Sequence, residues 1–419
     1  MNLDWHRLKA VVIESDDWGL CGWSPDAQAH RVLADTPAFR SRAGHRYGAS
    51  TLESATDVSA MRELLLSYRG GDGFPPVLQA NTIVGAPDYD RLVPPLFECD
   101  ALPVLFHPRA PSRWQRPGLW EEVARARDAG VWWPELHGLH HVPEHAWLDA
   151  LRRGSDDARR AHEQQSAVCE AVEESGEHDP LEPGPDRARR LRLAVAAFRD
   201  LFGAEPRSFC PPDYRWDEET EEDAERLGLR IIQGRGEQHG VVWPLVRRLD
   251  MRRRWPQTSG NRLYMPARIA FEPGVREATA ASDLSGVLNR VRAAWSHAQP
   301  AVLSTHRANY VQLDPSRGAE RREAFALLLE KLCDENAVFL TDAEVLDLHE
   351  RQWSARPIGK RGSLVRYYGV PREPIHFPAP PGAVRATVQE GRGPGSEISV
   401  LGGEATLRPN VGELLVEWK

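Results

Sequence analysis

The stretch "VVIESDDWG", Val11 to Gly19, joins a short apolar run to two adjacent aspartates. The run reads as a buried strand, since strands covered on both faces are almost continuously apolar. Two neighbouring carboxylates repel each other and resist burial, so a strand tip that carries both implies a positive charge held opposite them. Working outward, further strand-like runs occupy Val77–Ile83, Leu102–His107, Val131–Leu136, Ser208–Pro211, Leu229–Gln233, Ala301–Thr305 and Ala337–Thr341, with the first spanning Lys9–Ser15. Helical spacing fills the intervals: "LWEEVARARDAG" stops at Gly130, "SDLSGVLNRVRAAWSHA" offers a cap at Ser282, and "GAERREAFALLLEKLCDEN" is helical throughout. Alternating strands and helices predict a parallel α/β sheet, and eight strands in this span favour a (β/α) barrel.

Two segments break the rhythm. Residues 156–192 are charged and helical, interrupted by "SGEHDPLEPGPD", and form an excursion from the scaffold. From residue 353 to 419 short strands alternate with Gly and Pro turns, which predicts a small β-rich C-terminal unit after a domain covering 1–352.

The chain has 419 residues, 41% hydrophobic and 27% charged, as in a soluble globular protein. A net charge of -8 argues against nucleic acid or an anionic membrane as main partner, and "RRR" at Arg252 to Arg254 is a local solvated cluster. No apolar run reaches the length of a membrane span, and the N-terminal one is too short for a signal peptide, so a cytoplasmic location is expected. Five scattered cysteines without a CxxC pair indicate neither a disulfide framework nor a zinc–thiolate site.

In a (β/α) layout functional residues gather at the C-terminal ends of strands. Those ends carry Asp16 and Asp17, His107, "ELHGLHH" from Glu135 to His141, "FCPPDYRWD" from Phe209 to Asp217, and "LSTHRANY" from Leu303 to Tyr310. His137 and His141 stand four apart, close enough to aim at one point. With one aspartate they would make a three-ligand site that leaves positions open for water and substrate, as a catalytic metal requires. A metal bound by one aspartate would also offset the repulsion between the pair.

These motifs together resemble the polysaccharide deacetylase family (carbohydrate esterase family 4, chitooligosaccharide deacetylase-like), as a divergent member. "ESDDWG" resembles the family's Asp-Asp-Gly motif with Trp18 inserted, "HGLHH" its His-Ser/Thr-x-x-His motif with Gly138 at the hydroxyl position, "CPPDY" its third motif, and "LSTH" its Leu-x-x-His motif. The likeness runs in order from Lys9 to His349 and implies a distorted (β/α) barrel of the deacetylase type. It further implies Asp16 as catalytic base, Asp17, His137 and His141 as metal ligands, and His306 as proton donor. Trp18, Asp213, Tyr214 and Arg307 are the expected substrate contacts. The implied activity is metal-dependent removal of an acetyl or similar acyl group from a sugar or glycan. One divalent ion is expected, zinc by default, with Co, Ni, Mn or Fe accepted by the same ligands.

Two family features are missing. Cys210 replaces the third-motif arginine that would hold the base, with Arg215 or Arg307 as candidate substitutes. "GRGEQHG" stands where the fourth motif, which would tune His306, is expected. Those gaps keep open a catalytically impaired sugar-binding protein. A glycoside hydrolase ranks last, because its two carboxyls must stand at least ~5 Å apart across the scissile bond.

Among the remaining polar residues, His140 is read as pointing away from the metal and Glu135 as structural. His107 and Asn81 face the same mouth, and His145, His162 and His178 lie on the surface. Trp18, Trp23, Trp133 and Trp216 are candidates for a sugar platform, of which at most two would touch substrate.

Overall fold

The structure is a computed structural model that describes residues 3–172, 176–177, 182–234, 237–239, 247–250, 255–274, 283–368, 374–390, 395–407 and 412–419. His178, Ser282, Arg252 to Arg254, and Arg235, Gly236 and Gly240 of "GRGEQHG" lie outside the described residues.

A ten-stranded sheet organises the larger part of the chain. Its strands, in chain order, are β1 (Ala10–Trp18), β2 (Leu78–Ile83), β3 (Trp132–Gly138), β4 (Ser208–Phe209), β5 (Ile231–Ile232), β6 (Gln257–Ser259), β7 (Arg262–Tyr264), β8 (Ile269–Ala270), β9 (Ala301–His306) and β10 (Val338–Leu340). The lateral order is β6-β7-β5-β4-β3-β2-β1-β9-β8, with β10 beside β1. Every pair is parallel except β6 with β7, which closes one edge with an antiparallel hairpin. Seven of the eight expected strands lie in this sheet; the eighth, Val104–Phe106, instead pairs antiparallel with Gly85–Pro87.

The expected distorted (β/α) barrel takes the form of a curled, open half-barrel sheet. Among the described residues β6 and β8 form its ends and do not pair with each other. The curl shows in contacts across the concave side: Asn81 at β2 reaches Gln233 beyond β5, and Arg268 before β8 reaches Asp16 on β1 and Cys210 after β4. Strand β1 is interior and pairs with β2, β9 and β10, and its residues Ala10 to Ile13 are at most 1% exposed.

Helices cover the sheet where the apolar spacing predicts them. Leu119–Asp128 ends before Gly130 at φ 75°, a left-handed value that favours glycine. Leu284–Ser296 is capped by Asp283, whose carboxylate accepts from Ser285 and Gly286 N–H. Ser54–Asp57 and Thr341–Glu344 form reciprocal capping boxes at two further helix starts.

Among the described residues between Trp353 and Trp418, seven strands form a separate antiparallel sheet with its own apolar core of Val365, Phe377, Leu407, Val416 and Trp418. Buried arginines tie it to the larger sheet. Arg366 donates to Asp72 Oδ2 from Nε (3.0 Å) and Nη2 (2.6 Å) and pairs with Glu344. Arg356 pairs with the same Glu344 at 3.2 Å and donates to the Gly130 carbonyl. Among the described residues no helix is long and apolar enough to cross a membrane.

Candidate active site

In a regular strand successive side chains face opposite ways, so Asp16 and Asp17 could not both serve one site. The β1–β2 register slips between Ser15 and Trp18, and Asp17 adopts φ 70°. This bulge turns the second carboxylate toward the same mouth as the first, as bulges beside active sites often do. Gly19 completes the turn at φ 79°; a Cβ there would lie 2.3 Å from the Ile83 carbonyl oxygen. A second slip makes His137 the extra residue between Leu136 and Gly138, opposite Thr82 and Ile83 of β2.

One donor atom each from Asp17, His137 and His141 lies within 4.8 Å of the others. His137 Nδ1–H donates to the Cys210 carbonyl at 2.7 Å, which fixes the tautomer and leaves Nε2 facing Asp17 Oδ1 at 3.3 Å. A carboxylate oxygen and two imidazoles in this arrangement fit a divalent cation of intermediate softness. His140 is turned away: its Nε2–H donates to Glu144 Oε1 at 3.0 Å and its Nδ1 accepts from Val142 N–H at 3.1 Å. Both of its ring nitrogens are therefore committed.

Asp16, 2% exposed, is gripped by Arg268. Nη1 donates to Oδ2 at 2.8 Å and Nη2 to Oδ1 at 2.9 Å, while Asn81 Nδ2 donates to Oδ1 at 2.6 Å. Burial opposes ionisation of Asp16, but the Arg268 charge and its hydrogen bonds, with His137, outweigh it and hold the carboxyl well below the usual range. The same guanidinium contacts Tyr214 OH at 2.9 Å, and its Nε lies 2.6 Å from Glu14 Oε2. It is the positive charge that the opening aspartate pair requires.

His306 Nε2 stands 3.8 Å from Asp16 Oδ2, and its Nδ1–H donates to Glu272 Oε1 at 2.6 Å. Burial would lower the His306 pKa; the Glu272 carboxylate, with Asp16 and Asp17, raises it instead. Glu272 is held in turn by Asn309 Nδ2 at 2.7 Å and Arg46 at 2.9 Å.

Arg268 and Glu272 thus make the two contacts that the sequence motifs leave unfilled. Both lie on "RIAFE", flanking β8, further along the chain than "GRGEQHG", where the fourth motif is expected. The available signal was a short apolar run with a charge at each end. Neither proposed substitute takes the role: Arg307 is buried and lies 3.8 Å from Glu53, and Arg215 pairs with Asp213 at 3.5 Å.

The other candidate residues divide between mouth and core. Tyr214 lies against Arg268, and Asp213 is exposed beside it. Trp18 is 2% exposed, packs edge-on to Trp132 and donates Nε1–H to Ser15, so it offers no open ring face. Trp216 is also buried and bonded to Glu221, while Trp23 is half-buried and stacks on Tyr47, whose ring lies 5.9 Å from His306. Trp133 is half-buried and donates to Glu135, which also accepts from Arg207 and Ser208 N–H. His107 Nε2–H supports the aspartate turn by donating to the Gly19 carbonyl at 2.9 Å. Burial pushes its pKa down to about 4.

No known family profile matches the chain, and no curated protein matches it at a significant level. Solved structures to which the chain shows a partial likeness include Agd3, a carbohydrate deacetylase (TM-score 0.45, 13% identity, 96% of this chain and 65% of that one). A provisionally assigned polysaccharide deacetylase from Mycobacterium smegmatis follows at TM-score 0.40, with 14% identity over 82% of this chain and 90% of that one. A family 39 glycoside hydrolase from Bacteroides cellulosilyticus reaches TM-score 0.30, with 9% identity over 100% of this chain and 82% of that one. This chain spans less than two thirds of the length of Agd3. Likenesses of this size decide neither substrate nor chemistry, which rest on the residues.

Proposed function

We propose that the protein is a metal-dependent hydrolase that removes an acetyl or similar acyl group from an N- or O-acylated sugar or glycan. The observation that carries this reading is a convergence at one strand-end mouth. An Asp–His–His ligand set, a carboxylate clamped by a guanidinium, and an imidazole clamped by a second carboxylate meet there.

Asp17, His137 and His141 would hold the divalent ion, zinc by default. When bound, it supplies polarisation of the acyl carbonyl and a lowered pKa for water. Asp16, kept ionised and oriented by Arg268 and Asn81, accepts a proton from the attacking water as general base. His306 presents Nε2 on the side facing Asp16 and donates the proton that the leaving amine or alkoxide needs. Glu272 favours the protonated form of that imidazole and fixes its ring. Sugar contact falls to Tyr214 and Asp213 on one side and to Tyr47 with Trp23 on the other.

The impaired-binder alternative drew on a missing arginine and a missing partner for His306. Arg268 and Glu272 occupy those roles, which favours turnover. The test is acetate release from N-acetylated chitooligosaccharides and O-acetylated xylan by zinc-loaded protein. Wild type should release acetate, and Asp16→Asn should lose at least ~10²-fold in rate with metal retained. Sugar binding without acetate release would leave only the binder, and new reducing ends without acetate would indicate a glycosidase.

A further inference from the structure

We propose that Glu177, from the charged excursion, is a positioning residue for the metal ligands: its buried carboxylate shapes the Leu139–His141 loop so that His141 faces Asp17 and His137. The inference rests on the metal-site reading. Three consecutive backbone N–H groups converge on this one side chain. Leu139 donates to Oε2 at 2.8 Å and to Oε1 at 3.1 Å, His140 to Oε2 at 3.0 Å, and His141 to Oε2 at 2.8 Å. Successive N–H groups turned inward form an anion-binding nest, and here the anion belongs to the chain itself.

The nest has a conformational cost that the carboxylate offsets. His141 adopts φ 57°, a left-handed value disfavoured for a residue with a Cβ. Glu177, 2% exposed, holds it there by accepting its N–H. Two glycines admit the carboxylate. Gly138 has φ 135°, and a Cβ on it would lie 2.6 Å from Glu177 Oε2. Gly176 has φ 59°, and a Cβ on it would lie 2.8 Å from the Asp213 Cβ. The Gly176–Glu177 pair is therefore wedged between the loop that carries His141 and the Pro212–Tyr214 turn. One excursion from the scaffold supports both the ligand loop and a wall of the mouth.

The experiment measures zinc Kd by chelator competition, beside thermal melts, for wild type, Glu177→Ala, Glu177→Gln and Glu182→Ala. Glu182 belongs to the same excursion but pairs with Arg190 and lies 3.8 Å from His145 rather than bonding the loop, so its variant reports loss of packing in the excursion with the Leu139–His141 contacts intact. Glu177→Ala should weaken zinc about 10- to 100-fold. Glu177→Gln, which keeps one acceptor oxygen, should fall between it and wild type, and Glu182→Ala should keep the wild-type Kd at a lower Tm. A wild-type Kd in Glu177→Ala overturns the inference alone, as does equal weakening in Glu182→Ala at a matched Tm. A wild-type protein that binds no zinc overturns the metal-site reading and this inference together.

Discussion

Replacing Arg268 with methionine keeps the length of the side chain and removes the guanidinium fork from Asp16. Five contacts go: two to the Asp16 oxygens at 2.8 and 2.9 Å, one to Tyr214 OH at 2.9 Å, one to Cys210 Sγ at 3.3 Å, and one to Glu14 at 2.6 Å. A neighbouring arginine depresses an aspartate pKa by about 1–3 units, and each unit corresponds to about 1.4 kcal/mol. With Arg268 gone, burial acts on Asp16 without that opposition, so its pKa rises. A general base must be ionised, so the acid limb of kcat/KM should move up by about 1–3 units. A shift of that size accounts for little loss well above the new pKa. A fall of about 10²-fold or more at high pH would therefore measure lost orientation. Breaking a buried pair costs about 3–5 kcal/mol when the orphaned charge stays ionised. Glu14 limits that cost, because burial already raises its pKa well above the ordinary value. The assay is acetate release from about pH 3 to 9 on a substrate that wild type turns over, read as an acid limb that the variant shows where wild type is flat, with metal content measured in parallel. Arg268→Lys should restore the limb but only part of the rate, since an ammonium cannot fork. Arg268→Met with full metal and an unmoved acid limb would refute the reasoning.

Three further outcomes follow from the same geometry. Glu272→Gln removes the charge that raises His306 against burial, so the alkaline limb, where the proton donor is lost, should move to lower pH by about 1–2 units; an unmoved limb would sever Glu272 from His306. His140→Ala should keep wild-type metal content in elemental analysis while costing about 1–3 kcal/mol in urea melts, because Glu144 loses a buried donor; loss of metal would make His140 a ligand. Arg366→Met strands Asp72 in the junction with the C-terminal sheet, leaves Glu344 with Arg356 as its one remaining arginine, and should cost about 3–5 kcal/mol in the same melts. Burial opposes the charge on Glu344, but Arg356 and Arg366 depress its folded pKa, so its contribution is present above about pH 4.3 and fades as pH falls through the folded value. That acid slope should flatten in the variant.

The central strands were legible because their burial on both faces leaves an apolar signature: β1, β2, β3, β9 and β10 fall within a few residues of the runs read from composition. β6, β7 and β8 were not, because strands of two or three residues carry too little pattern, and β6 and β7 form a hairpin rather than a βα unit. The open edge follows from them. Within the site, motif spacing picked out the residues the structure brings together, Asp16, Asp17, His137, His141 and His306. It missed Arg268, Glu272 and Glu177, whose roles come from distance in space rather than in sequence: Arg268 lies 252 residues from Asp16, and Glu177 36 from His141. Trp18 looked like a sugar contact because it adjoins the aspartates. The bulge that aims Asp17 at the mouth leaves Trp18 paired with Thr82 of β2 and packed against Trp132 in the core.

The most direct measurement is the metal content of purified protein by elemental analysis, wild type beside His137→Ala/His141→Ala. The account predicts one divalent ion per chain in wild type and loss of that ion in the double variant, with the fold retained by circular dichroism. No ion in wild type after incubation with zinc, or equal occupancy in the variant, would contradict it.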